Sequence, residues 1–231
     1  MTERAELLDP HDAARRARAA QRSRQLLTAA ARLMEREGSE AVSMQALAAE
    51  AGVSVGLIYR YFGSKDEVLY AVILDVLDAF AAAVPAAVAA AGDDPVRRLA
   101  AAFTAYCHVI NEHRHAAVLT YRESKSLDEA GRERIKQLEI ETSQPLRQAV
   151  RDGVDAGLLT TSDPDLVAYN LLLLAHAWAL KHWYFQRTMS LDSYIDAQLA
   201  LALRAVIVPD HIDRYTDLLT APGNHADNID S

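Results

Sequence analysis

The stretch SMQALAAEAGVSVGLIYRYFGSKDEVLYAVI, Ser43 to Ile73, carries three serines where helix N-caps belong and glycines where helices stop. Ser43 opens a short helix that ends at Gly52, and Ser54 opens a second that ends near Gly63. Ser64-Lys65-Asp66-Glu67 is a capping-box pattern that starts a longer third helix. In the middle helix Ile58 and Phe62 stand four apart and are expected to face a core, with Leu47 and Ala51 opposite. Val55 with Tyr59, and Leu57 with Tyr61, form two further pairs at the same spacing. A helix this short that places large apolar and phenolic side chains off its core face needs a partner to cover them. The DNA major groove admits one helix; tyrosine hydroxyls can bond phosphate there, and Val or Leu can touch thymine methyls.

Outward from this segment, helical spacing dominates and no stretch alternates with period two. A preceding helix is expected from about Ala19 to Arg36, with Leu26, Leu27, Ala30 and Leu33 on one face and Gly38 as its stop. The capped helix from Ser64 runs toward Pro85, which is expected to kink or end it. Asp94-Pro95 opens a helix to about Asn111. Others follow at His115–Ser124, Asp128–Ala156 with Pro145 inside, Pro164–Gln186, Leu191–Val206 and, short, His211–Leu218. The fold class is all-α, with nine or ten helices. Its expected parts are a basic arm over 1–19, a three-helix head over 20–65, a helical bundle over 66–220 and a tail over 221–231.

Of 231 residues 51% are hydrophobic and 24% charged, enough to bury a core and too apolar for a disordered chain. Cys107 is the only cysteine, so no internal disulfide exists. The run closest to a membrane span, Leu166 to Leu180, is interrupted by Tyr169, Asn170 and His176, and the N-terminus has no apolar signal core. A cytoplasmic location without membrane association is the expectation. The net charge of −8 argues against nucleic acid until its distribution is seen. Ala13 to Met34 holds six arginines (15, 16, 18, 22, 24 and 32) and no acid. The leading segment is basic and the body acidic. Arg15, Arg16 and Arg18 are either a solvated tail or an arm that follows the minor groove.

Gly-Val-Ser-x-Gly-x-Ile-Tyr-x-Tyr-Phe-x-Ser-Lys, running from Gly52 and followed by Leu69, resembles the helix-turn-helix of the TetR family of transcriptional regulators. The likeness covers about residues 20–73. It implies a reading head made by the second and third helices, joined by the fourth to a ligand-binding and dimerisation bundle. Carried over by position, Ser43 contacts phosphate and Gln45 reaches a base. Val55, Gly56 and Leu57 enter the major groove, Tyr59, Tyr61 and Lys65 hold the backbone, and Ser54 is a further DNA contact. Ser43 and Ser64 are N-caps whatever else they do, and Tyr59 has an alternative as a packing residue with its hydroxyl in water. Val55 and Leu57 donate no hydrogen bonds, so base readout falls on Gln45, Arg60 and the leading arginines. The resemblance also implies a homodimer on a palindromic double-stranded DNA operator, and a repressor released by a small effector.

In the bundle, Pro164 to Gln186 is apolar nearly all round, as a helix covered on both sides would be. A second subunit on one side and the chain's own core on the other account for it; a central helix of a monomeric bundle is the alternative. Tyr106, Tyr121, Arg122, His176, Lys181 and Trp183 are the candidate effector-binding residues, too many polar and aromatic groups for a bare spacer. A fatty acid or an acyl-coenzyme A thioester would suit an apolar body with several cations. A DNA-binding architectural protein without an effector, and an enzyme with a DNA-binding appendage, are the competing classes. Against the enzyme, the chain has no Gly-rich phosphate loop and no Gly-x-Ser-x-Gly elbow. No metal is expected either, because Cys107, His108, His113 and His115 lack the three- or four-residue helical spacing that ligands need. No cofactor is expected.

Overall fold

The structure, a computed structural model, describes residues 10–123 and 126–220, with the backbone alone for 10–17, 19 and 20. Eleven α-helices run in order: α1 (Pro10–Glu37), α2 (Met44–Glu50), α3 (Val55–Tyr61), α4 (Lys65–Ala90), α5 (Pro95–Glu112), α6 (Arg114–Glu123), α7 (Glu129–Asp155), α8 (Pro164–Leu180), α9 (His182–Phe185), α10 (Leu191–Val206) and α11 (Thr216–Leu219), with a 3-10 helix over Pro209–Tyr215. Among the described residues there is no strand, only an isolated bridge between Leu159 and Ile207. The all-α expectation holds. The tail over 221–231 and the first nine residues lie outside the described residues.

Side-chain caps start the helices where the sequence placed them. Ser43 Oγ accepts from Ala46 N (3.1 Å), Ser54 Oγ from Leu57 N (3.3 Å) and Ser64 Oγ from Glu67 N (3.2 Å). The Glu67 carboxylate in turn accepts from Gly63 N at 3.0 Å, so both orphan donors of that turn are met. Gly52, with φ at +66°, makes the left-handed exit between α2 and α3. Asp94, Asp128 and Asp163 cap α5, α7 and α8 in the same way.

Three helices differ from expectation. α1 begins at Pro10, not Ala19, so Arg15, Arg16 and Arg18 belong to a helix and not to an arm ahead of one. Pro10 stands where its missing N–H costs nothing, and the alanine–arginine run behind it is made of strong helix formers. α4 continues through Pro85 to Ala90. A proline removes one hydrogen bond, and burial of Val68, Val72, Val76, Phe80 and Val84 along the same helix outweighs that loss. α8 stops at Leu180 instead of Gln186. The aromatic run His182–Phe185 forms helices poorly, and the turn at Lys181 brings Phe185 parallel to Trp178 (centroids 6.2 Å) and against Tyr194 (4.8 Å).

α4 is the spine. It packs on α1 in the head and on α5, α6 and α7 in the bundle, and one apolar core runs along it without a break from Leu26 to Leu219. Contrary to the expectation for Leu166–Leu180, it is Lys65–Ala90 that is long and apolar enough to cross a membrane by length and composition. Its buried face is accounted for by packing within the chain.

A reading head and a cavity joined by two helices

At the head, Ile58 is 2% exposed and packs with Leu47 and Ala48. Phe62 is half-buried against the same core. Val55 and Tyr61, expected off the core face, pack against its edge. α3 has only seven residues, so Val55 and Tyr61, three before and three after Ile58, share its side of the helix and reach the core. The residues left outward are Gln45, Gly56, Tyr59 and Arg60. Tyr59 is 54% exposed, and Arg60 lies 5.9 Å from the Tyr61 ring centroid. A Cβ on Gly56 would meet nothing within 4 Å, and its φ is not positive. Neither packing nor backbone conformation therefore requires glycine there, although glycine weakens a helix by about 1 kcal/mol. Ser43 and Ser54 use their lone pairs as caps and keep their hydroxyl protons free to donate. Lys65 Nζ donates to the Glu40 carbonyl at 2.8 Å, which fixes the amine beside the head.

The bundle encloses a cavity of about 490 Å³ between α4, α5, α6, α7 and α8. Val76, Leu77, Phe80, Ala117, Ile140, Leu172 and Leu173 supply apolar wall. Phe80 stacks on Tyr106 (centroids 3.9 Å), and His176 stands edge-on to Tyr106 (5.7 Å) and Tyr121 (5.2 Å). Of the six residues expected to meet a ligand, Tyr106, Tyr121 and His176 line this space. Arg122, Lys181 and Trp183 do not: all three are exposed, Trp183 by 63%. Arg122 follows Tyr121 by one residue, a turn of about 100° that points it away. Lys181 and Trp183 lie past the break in α8.

Sequence reasoning missed Thr120, Lys136, Glu139, Ser143, Arg147, Asp165 and Tyr169, which complete the lining. At the rim Arg147 grips Asp165 through two bonds of 3.1 Å, and Arg151 adds two more at 2.8 and 2.9 Å. Those guanidinium bonds hold the Asp165 carboxyl below its ordinary value. Desolvation pushes the Glu139 carboxyl up, and does the same to the Tyr106 and Tyr121 hydroxyls. Desolvation also lowers His176, against the pull of its bond to the Leu172 carbonyl, so its ring is neutral at pH 7. Cys107 is fully buried and its thiol is pushed up, which leaves no thiolate for chemistry. No group of three His, Cys, Asp or Glu suited to a metal occurs among the described residues.

Two helices reach both places. α6 lines the cavity with Ala117, Thr120 and Tyr121, while His115 on the same helix bonds Glu35 of α1 and Glu123 accepts from Ser39 Oγ at 2.6 Å. α4 lines it with Val76, Leu77 and Phe80, holds Lys65 at the head, and sets Asp75 3.4 Å from His113.

Comparison with known proteins agrees with this layout. Residues 26–72 match the family described as "Bacterial regulatory proteins, tetR family", and residues 92–206 match "Tetracyclin repressor-like, C-terminal domain". The chain is similar to the HTH-type transcriptional regulator HbdR of Aromatoleum sp. (strain CIB), 37% identical over 181 residues, which is 78% of this chain and 79% of that one. Among solved structures it is similar to the TetR family regulator PfmR of Thermus thermophilus. That likeness has a TM-score of 0.69 at 29% identity over 78% of this chain and 97% of the other. The fold is also that of AibR, described in complex with isovaleryl coenzyme A and operator DNA (TM-score 0.67, 22% identity, 78% and 97% covered).

Proposed function

Because the chain belongs to the tetR family of bacterial regulatory proteins, a family of DNA-binding transcriptional regulators and not of enzymes, we propose that it is a dimeric repressor released from its operator by a small, largely apolar effector. The observation that carries this reading is that α6 and α4 each touch both the cavity and the head. A ligand that moves Tyr121 or Phe80 moves a helix bonded to the DNA-reading unit. The cavity's volume suits a small molecule, and the arginine pair at its rim suits an anionic group left outside. AibR, with the same fold, is described with an acyl-coenzyme A and operator DNA together, which keeps a fatty acid or acyl-coenzyme A thioester as the working effector class.

On DNA, Ser43, Ser54, Tyr59, Tyr61 and Lys65 meet phosphate, and Gln45 reads a base. Val55, Gly56 and Leu57 lie in the major groove. The openness around Gly56 supports this, since a backbone approached closely by another molecule gains from having no side chain. Dimerisation uses the outer face of α8 to α10, where Leu166, Leu180, Trp183, Tyr184 and Leu201 are all exposed. Two heads then read a palindrome at successive major grooves, about 34–36 Å apart. A hundredfold preference of the effector for the wrong head spacing shifts the balance by about 2.7 kcal/mol. Like others of this kind, the protein works in the cytoplasm.

The test is mass spectrometry of the purified protein for a carried-over small molecule, followed by operator binding with and without it. The operator is first selected from a random duplex pool. Release of DNA at saturating ligand is expected; unchanged affinity would refute the switch and leave DNA binding standing.

A further inference from the structure

The polar groups inside the cavity have a bias that its apolar wall conceals. Thr120 Oγ1 donates to the Ala116 carbonyl at 2.8 Å, and Ser143 Oγ to the Ile140 carbonyl at 2.7 Å. His176 Nδ1 lies 2.9 Å from the Leu172 carbonyl. A carbonyl oxygen only accepts, so all three side chains have committed their proton to the backbone. Each therefore turns a lone pair toward the cavity. For a neutral histidine with its proton on Nδ1, that lone pair is on Nε2, which has no partner among the described residues and is not sealed from the cavity. The cations nearby are engaged at the rim: Lys136 with Glu133 at 3.2 Å, Arg147 with Asp165. The inner end, walled by Phe80, Tyr106, Tyr121 and His176, sets these acceptors beside two phenol hydroxyls, which can donate as well as accept, and holds no free cation among the described residues.

An all-hydrocarbon ligand would strip water from these acceptors and give nothing back, a cost that unmet buried polar groups always carry. A carboxylate pushed to the same depth would set its own lone pairs against those of Thr120, Ser143 and His176, with the two phenol hydroxyls alone to donate to it. A hydroxyl satisfies one acceptor directly while its frame fills the apolar wall. We infer that the effector carries a hydrogen-bond donor, a hydroxyl on an apolar ring or chain, at the end that enters first, and that His176 Nε2 accepts it and sets the preference for hydroxylated over unsubstituted ligands. This rests on the effector reading above. It adds a residue and a functional group to it, and leaves room for an anionic group at the rim.

The test uses three probes of one frame, 2-naphthol, 2-methoxynaphthalene and 2-methylnaphthalene, titrated calorimetrically into the wild-type protein, His176→Phe and His176→Gln. Phe keeps a flat ring and has no acceptor; Gln restores an acceptor in its amide oxygen. The ratio of the naphthol constant to the methyl constant is expected to fall about tenfold in His176→Phe, the effect of losing one buried hydrogen bond. It should recover in His176→Gln, and the methoxy probe should bind no better than the methyl one in wild type. Because 2-methylnaphthalene is read in every variant, a folding defect shows as loss of all three probes and is not mistaken for lost preference. A ratio that stays the same in His176→Phe overturns the role of His176, while the cavity reading survives. If none of the probes binds the wild-type protein at millimolar concentration, the cavity reading falls and this inference with it.

Discussion

The head and the bundle solve opposite packing problems. In the head, two seven-residue helices and the end of α1 close on Ile58, Leu47 and Met34, and what stays outside is polar or notched: Gln45, Arg60, the Tyr59 hydroxyl, the open flank of Gly56. In the bundle, the helices leave about 490 Å³ unfilled inside and put Leu180, Trp183, Tyr184 and Leu201 outside. A filled interior with a polar exterior suits a rigid unit that meets a charged polymer. A hollow interior with an apolar exterior suits a unit that takes a small molecule and a second copy of itself. On the reading proposed above, the single chain is incomplete at two surfaces of different chemistry, and α4 and α6, which touch both the cavity and the head, join them.

The packing difference can be broken first by truncating a large side chain on each side. Phe80→Ala, at the cavity wall, is expected to cost about 3 kcal/mol in urea unfolding, and Ile58→Ala, in the closed head, about the same. They should differ in DNA binding at temperatures where both stay folded: Ile58→Ala loses it and Phe80→Ala keeps it. If Phe80→Ala costs less than about 1 kcal/mol, the wall around the cavity is not a packed surface. Next in size is the outer face. Trp183→Glu combined with Leu201→Glu should yield monomers and weaken operator binding about a hundredfold, the loss expected when one head must bind without the other. Unchanged affinity would move the dimer contact elsewhere.

Smaller effects separate the roles within the head. Gln45→Ala is expected to relax preference at one base pair by about 1–3 kcal/mol, while Lys65→Ala weakens binding on every sequence and reduces its salt dependence by about one counterion. The reverse assignment, with Lys65→Ala changing base preference, would show that the head sits differently on DNA. Smallest is a contact of the bundle alone. Asp94 caps α5 and also accepts from the Tyr215 hydroxyl (2.9 Å) and from Arg214 (2.6 Å). Burial raises its carboxyl, but the Arg97 backbone bond, the Tyr215 hydroxyl and the Arg214 charge together outweigh that and leave it below the ordinary value. A depressed folded value gives stability that is present above the unfolded carboxylate range and fades as pH drops through the folded one. Asp94→Asn keeps a good N-cap, so it should cost no more than about 1 kcal/mol at pH 7, through the lost charge facing Arg214, and flatten the acid side of the stability profile without touching DNA affinity.

The head was legible because its signals are local. Ser43, Ser54 and Ser64 cap helices within three residues of themselves, and the identities around Gly52–Lys65 are consecutive. The starts of α5, α7 and α8 were legible for the same reason, each an Asp acting on the next turn. The end of α8 was not: the turn at Lys181 depends on Phe185 meeting Trp178 and Tyr194, and Tyr194 belongs to another helix. α4 passing Pro85 is likewise decided by partners on α1, α5 and α7. The cavity was half legible. Tyr106, Tyr121 and His176 stood out as polar or aromatic in apolar surroundings. Glu139, Arg147 and Asp165 read as ordinary surface charge, and only the crossing of α7 with α8 brings them to one rim.

The central claim is that two heads, held by paired bundles, read one palindrome. Sedimentation velocity of the full chain with a selected duplex, compared with the isolated half-site, tests it most directly. Two chains per palindrome are expected, with half-site binding weaker by about two orders of magnitude. A single chain bound to the half-site with the full affinity of the palindrome would contradict it.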